Sequence, residues 1–150
     1  MPKIPIDNGI FTLFAGKYKE HVALPPPSNS WAANDENEVG VFHISLSSGG
    51  KVTLPPLFTS SKCNRSIYFI EGAKASVDGK EFNSKVYLTV DPKKEITLSN
   101  PGSDEVTEFL VLEGKAIDEP VVQHGPFVMN TQEEIQQAFK DYQRTQFGGW

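Results

Sequence analysis

Residues 65–80 read RSIYFIEGAKASVDGK. Ser66–Ile70 is a run of β-branched and aromatic side chains that predicts a strand, stopped at Gly72. Asp78-Gly79 then separates Lys74–Val77 from Lys80–Phe82. This pair predicts a hairpin, because a tight two-residue turn needs both central residues at positive φ. Upstream, Val39–Leu46 alternates, with Phe42, Ile44 and Leu46 on one face and Val41, His43 and Ser45 on the other. Ser47–Gly50 predicts a turn, and Lys51–Leu54 a strand that Pro55-Pro56 ends. Ile10–Ala15 predicts a short buried strand. Downstream, Val86–Val90, Glu95–Ser99 and Glu105–Leu112 complete a series of about nine or ten short strands. Many short strands with Gly-, Pro- and Asn-rich turns predict an antiparallel sandwich or barrel.

One helix closes the chain. Thr131 and Glu134 form a capping-box pair, and Glu133 and Glu134 sit where the helix dipole favours negative charge. Ile135, Ala138, Phe139 and Tyr142 form one apolar stripe, and Gly148-Gly149 is the expected terminator. The stripe is expected to pack on the open face of the chain's own β-domain; the alternative is docking against a second domain or subunit. Ser28–Glu38 is polar and predicts a loop, with Trp31 folded back as a plug.

At 150 residues the chain is expected to be one domain. Its parts are an irregular N-terminal strand and loop (1–38), a barrel core (39–112), a loop and strand segment (113–130) and the helix (131–147). The net charge of −5 offers no basic stripe for nucleic acid. No apolar run reaches membrane-spanning length, and Met1–Pro5 lacks a signal-peptide core. A single cysteine, Cys63, cannot make an internal disulfide. These features predict a soluble cytoplasmic protein, or a nuclear one in a eukaryote.

The 65–80 segment resembles the centre of a cupin, and residues 119–135, EPVVQHGPFVMNTQEEI, closely resemble the C-terminal end of the pirin family of two-domain cupins. The resemblance spans about residues 8–147 and is weak before Val39. It implies an all-β double-stranded β-helix (a cupin or jelly-roll barrel) with one C-terminal α-helix, corresponding to the C-terminal cupin alone. In that family the iron sits in the N-terminal cupin, and relatives are iron-dependent quercetin dioxygenases or, in eukaryotes, nuclear co-regulators.

A metal-loaded cupin needs a His-x-His pair, a carboxylate and a later His converging in the barrel. None of the three histidines, His21, His43 and His124, forms such a pair. By the resemblance, Arg65 stands at the carboxylate position, the imidazole positions fall near Phe58 and Ser60, and the later one near Thr97. An arginine repels a cation, so no metal and no cofactor are expected in this chain. His43 reads as a partly exposed sheet residue. Cys63, beside Lys62 and Arg65, reads as a plain loop cysteine. The acids around Asp35 and Asp104 read as solvated charges, and Gly49-Gly50 is no phosphate loop.

The expected function is therefore a non-catalytic module that docks a metal-bearing cupin or dimerises. The candidate partner-binding residues are His124, Gly125, Pro126, Phe127, Met129 and Asn130. The alternative is a stand-alone small-ligand binder, or part of a quercetin 2,3-dioxygenase-like oxygenase. In that case Phe42, Tyr68 and Phe69 would line an apolar cavity, although filled-core positions suit them better.

Overall fold

A computed structural model describes residues 1–57, 62–102 and 104–148. They divide into two compact units, Met1–Ala116 and Ile117–Trp150.

The first unit holds strands β1 (Lys3–Ala15), β2 (Lys17–Tyr18), β3 (His21–Val22), β4 (Gly40–Leu54), β5 (Cys63–Glu71), β6 (Ala75–Val77), β7 (Lys80–Phe82), β8 (Val86–Val90), β9 (Ile96–Ser99) and β10 (Thr107–Lys115). Eight of these make one antiparallel sheet in the order β7-β6-β9-β4-β10-β5-β8, with β1 also on β4. The sheet rolls up because β4 serves two neighbourhoods. Its first half pairs with β10 and β1, and its second half with β9. Ser47–Gly50, expected to be a turn, is instead the corner where the continuous strand bends, with Gly49 at φ 73. Asn100, 1% exposed, braces the corner by donating from Nδ2 to the carbonyls of Leu46 and Glu105. The result is the expected nearly closed barrel.

Alternation sets its interior. Phe42, Ile44 and Leu46 face inward with Ile67, Phe69, Phe109 and Val111. Phe11 and Leu13 join them from β1, a strand longer than the Ile10–Ala15 run because its Asp7–Ala15 portion pairs along β4. The Asp78-Gly79 turn forms as expected, at φ 47 and φ 80. The polar loop contains two 3₁₀ turns, Trp31–Ala33 and Asp35–Asn37, capped by Ser30 and Asn34. Trp31 folds back only in part: its Nε1 donates to the Lys115 carbonyl, and the ring stays 37% exposed.

The second unit has a hairpin of β11 (Val122–His124) and β12 (Phe127–Met129), then helix α1 (Gln132–Thr145). Gly125, at φ 56 ahead of Pro126, provides the positive φ that a two-residue hairpin turn needs at its first central position. The capping box forms as expected. The helix ends at Gln146, held left-handed at φ 48, and not at Gly148-Gly149; Gly149 lies outside the described residues. No described helix is long and apolar enough to cross a membrane.

Candidate functional site

Among the described residues, the barrel interior carries a charged pair beside its apolar side chains. On β5, Cys63, Arg65, Ile67 and Phe69 share the inward face. On β10, Thr107, Phe109, Val111 and Glu113 do the same. Antiparallel register sets Arg65 opposite Glu113. The Arg65 Nε donates to Glu113 Oε2 at 2.6 Å, with side-chain exposures of 1% and 7%. The other guanidinium nitrogens donate to the carbonyls of Pro55, at 2.7 Å, and Lys94, at 3.4 Å. The pair is charge-assisted, and its cation has partners on every nitrogen. Burial pushes the Glu113 carboxyl above the usual carboxylate range. The Arg65 charge and hydrogen bond oppose that rise, and the Glu38 charge adds to it.

Gly40 makes this packing possible. A Cβ there would lie 2.5 Å from the Phe42 ring and 2.8 Å from Glu113 Cγ, so only glycine lets the acid seat beside β4. Glu38, left-handed at φ 46, closes the Asp35–Asn37 turn and accepts from Cys63 Sγ at 3.5 Å.

Glu38 and Glu113 open onto a cavity of about 550 Å³. Its apolar wall includes Val22, Ala23, Leu24, Pro25, Val39 and Leu57. At its rim Lys17 Nζ meets Asp35 Oδ2 at 2.6 Å. Phe42, Tyr68 and Phe69 line neither this cavity nor the smaller groove by Phe82 and Leu88. Phe42 and Phe69 are filled core, at 2% and 3% exposure. Tyr68 is on the opposite face of β5, its ring 4.8 Å from Tyr87. Two adjacent strand residues cannot line one cavity, since alternation sends them to opposite faces.

Of the positions where the resemblance implies ligands, the two that are described, Arg65 and Thr97, do not fit a cation. Arg65 holds the acid position as a fully engaged guanidinium. Thr97 lies on the outer face of β9, its hydroxyl 2.9 Å from that of Thr53. Phe58 and Ser60 lie outside the described residues. Among the described residues no three His, Cys, Asp or Glu side chains are grouped to hold a metal. His43 is a sheet residue with Nε2 3.3 Å from Glu108 Oε2. Cys63 is buried at the start of β5 rather than in a loop.

In the second unit, His124 and Phe127 stand across the Gly125-Pro126 turn as a register pair. Both rings meet Phe139 of α1 edge-on, at 5.4 and 4.8 Å. Phe127 also meets Tyr142 and Phe147. Asn130 donates to Glu119 and to the Pro120 carbonyl, and its amide to Glu134. Gly125 is exposed at the turn, and Met129 is half-buried opposite Val122. The motif residues thus tie hairpin to helix.

In the sequence, Arg65 reads as a missing ligand and as a cation near Cys63. Glu38 reads there as a solvated charge, Glu113 carries no role, and the cavity is expected along Phe42, Tyr68 and Phe69 instead. A usable signal was present: opposite charges at inward positions of two alternating strands need each other. Which strand lay beside which was not visible.

The sequence profile of the Pirin C-terminal cupin domain matches residues 41–148. A pirin-like protein of Solanum lycopersicum is 40% identical over 82 residues, 53% of this chain and 28% of that protein. Human pirin is 50% identical over 42 residues, 28% of this chain and 14% of its own length. The solved quercetin 2,3-dioxygenase from Acinetobacter baumannii superposes with a TM-score of 0.74 at 27% identity, covering 99% of this chain and 48% of that one. The chain thus spans less than half the length of each of these relatives. With a matched profile over most of its length and a barrel of the same fold, this chain belongs to the pirin family, as a C-terminal cupin domain.

Proposed function

We propose that this chain is the non-catalytic half of a two-cupin assembly, docking a metal-bearing cupin domain or a second copy of itself. The observation that supports this reading is the Arg65–Glu113 pair. The barrel position at which a metal-loading cupin presents an acid is filled by a guanidinium that is buried, hydrogen-bonded and neutralised. A guanidinium has no acceptor to offer a transition ion, and its nitrogens are already engaged. The relatives' greater length is what would supply the other half.

The purified chain should therefore contain well under one equivalent of iron or other transition metal by elemental analysis, and should not turn over quercetin. Light scattering should show a dimer, or a complex when an HxH-bearing cupin is added. Stoichiometric iron or measurable turnover would overturn the non-catalytic reading. A strict monomer that ignores the added cupin would remove the docking role.

The cavity favours a second reading, a small-ligand-binding cupin. Its volume of about 550 Å³ falls in the range of ligand sites, and a mostly apolar wall with a few convergent polar groups is their usual make-up.

A further inference from the structure

We infer that strand β8 is the edge by which two copies of this chain pair, antiparallel about a two-fold axis through Leu88, so that Lys85 of each copy stands opposite Asp91 of the other. This inference rests on the docking role and names the surface that a second copy would use.

β8 ends the sheet, and among the described residues no strand pairs with its outer edge. An open edge presents unpaired amides and carbonyls, and folded chains ordinarily guard it with charge, proline or a bulge. The opposite end of the sheet is guarded: Lys80 and Glu81 of β7 are both charged and exposed. β8 reads Val-Tyr-Leu-Thr-Val, with no charge, no proline and no register shift against β5. Its inner residues Val86, Leu88 and Val90 pack against the core yet stay partly exposed. On the outer face Tyr87 is 55% exposed, its ring against Tyr68. The flanking charges point to the occupant. Lys85 and Asp91 lie three positions on either side of Leu88, with side chains 67% and 48% exposed. In an antiparallel pair centred on Leu88, Val86 faces Val90, Tyr87 faces Thr89, and Lys85 faces Asp91 at both ends. Unlike charges directly opposite stabilise such a pair, and like charges weaken it. A shift of two residues in either direction breaks both charge pairs, so the ends select the register. A second copy satisfies both ends by symmetry alone.

The test measures the dimer constant of the full chain by sedimentation equilibrium in low-salt buffer. Lys85→Glu and Asp91→Lys should each weaken the dimer about tenfold, because symmetry places two like-charge contacts in it. The double variant Lys85→Glu/Asp91→Lys should return it to within about threefold of the native chain, since exposed pairs of either polarity are similar in strength. That recovery reads contacts between copies: within one chain the exchange leaves a like charge beside Glu71 and another beside Lys94. If the variants do not fold, by circular dichroism, hydrogen exchange on the unaltered chain decides. The Val86–Val90 amides should then gain protection as concentration rises, and protection independent of concentration overturns the pairing. A dimer that neither single variant weakens, or that the double variant does not restore, overturns the inference and leaves the docking role standing. So does a monomer that binds an added HxH-bearing cupin. A monomer that ignores that cupin overturns both.

Discussion

Arg65 and Glu113 set the chemistry of the barrel interior. Each is costly to bury alone, and together they are tolerated because the bond is short and the spare donors are satisfied. Arg65→Met should destabilise the chain by about 3–5 kcal/mol, since it strands a buried carboxylate. Combining it with Glu113→Leu should recover most of that loss, as an apolar pair often replaces a buried ion pair without net cost. Urea denaturation of the native chain and these two variants checks both, and a double variant as unstable as the single one would contradict the account. The raised carboxyl also predicts a pH dependence. The folded chain holds the Glu113 proton more tightly than the unfolded chain. Its stabilising contribution is therefore complete below the ordinary carboxylate range and fades as pH rises through the raised value. Urea midpoints followed upward from the ordinary carboxylate range should fall for the native chain, and this component should be missing in Glu113→Gln.

The helix of the second unit is held at its start by its cap and along its stripe by aromatic edges. Thr131 accepts from the Glu134 amide at 3.2 Å and Glu134 returns to the Thr131 amide at 2.9 Å. Thr131→Ala should cost about 1 kcal/mol. Phe139 is half-buried, its ring between those of His124 and Phe127. Phe139→Ala should cost about 2 kcal/mol, less than the 3–5 kcal/mol or so of a fully enclosed ring. Thermal unfolding of both variants measures these losses, and a Phe139→Ala loss below about 0.5 kcal/mol would show that the aromatic contacts contribute little.

Among the described residues, the barrel's hydrophobic core cluster runs from Ile4 to Val111. A chain ending at Ala116 should therefore keep the barrel, with the dispersed amide spectrum of a folded β-protein. A collapsed spectrum would mean that the barrel needs residues 117–150. The open seam lies between the two ends of the sheet, β7 and β8, where Phe82, Leu88 and Val90 are only partly buried. The closed part of the wall depends on the β4 corner, which neither half of that strand could make alone.

Strands, the Asp78-Gly79 hairpin and the capped helix were legible in the residues themselves, because each is governed by neighbours a few positions away: alternation, positive φ, a side chain reaching back to an amide. The family was legible in the 119–135 segment for a different reason, a near match of words rather than physics. Partnership across the sheet was not legible. Arg65 and Glu113 stand 48 residues apart, and only the register of β5 on β10 makes their two inward charges one bond. The cavity arises where the Pro25, Pro55 and Glu38 segments meet. The bend of β4 likewise hid behind a sequence that spells a turn, since pairing with β9 keeps the chain extended past the glycines. Contacts between distant segments exist only once the barrel has closed.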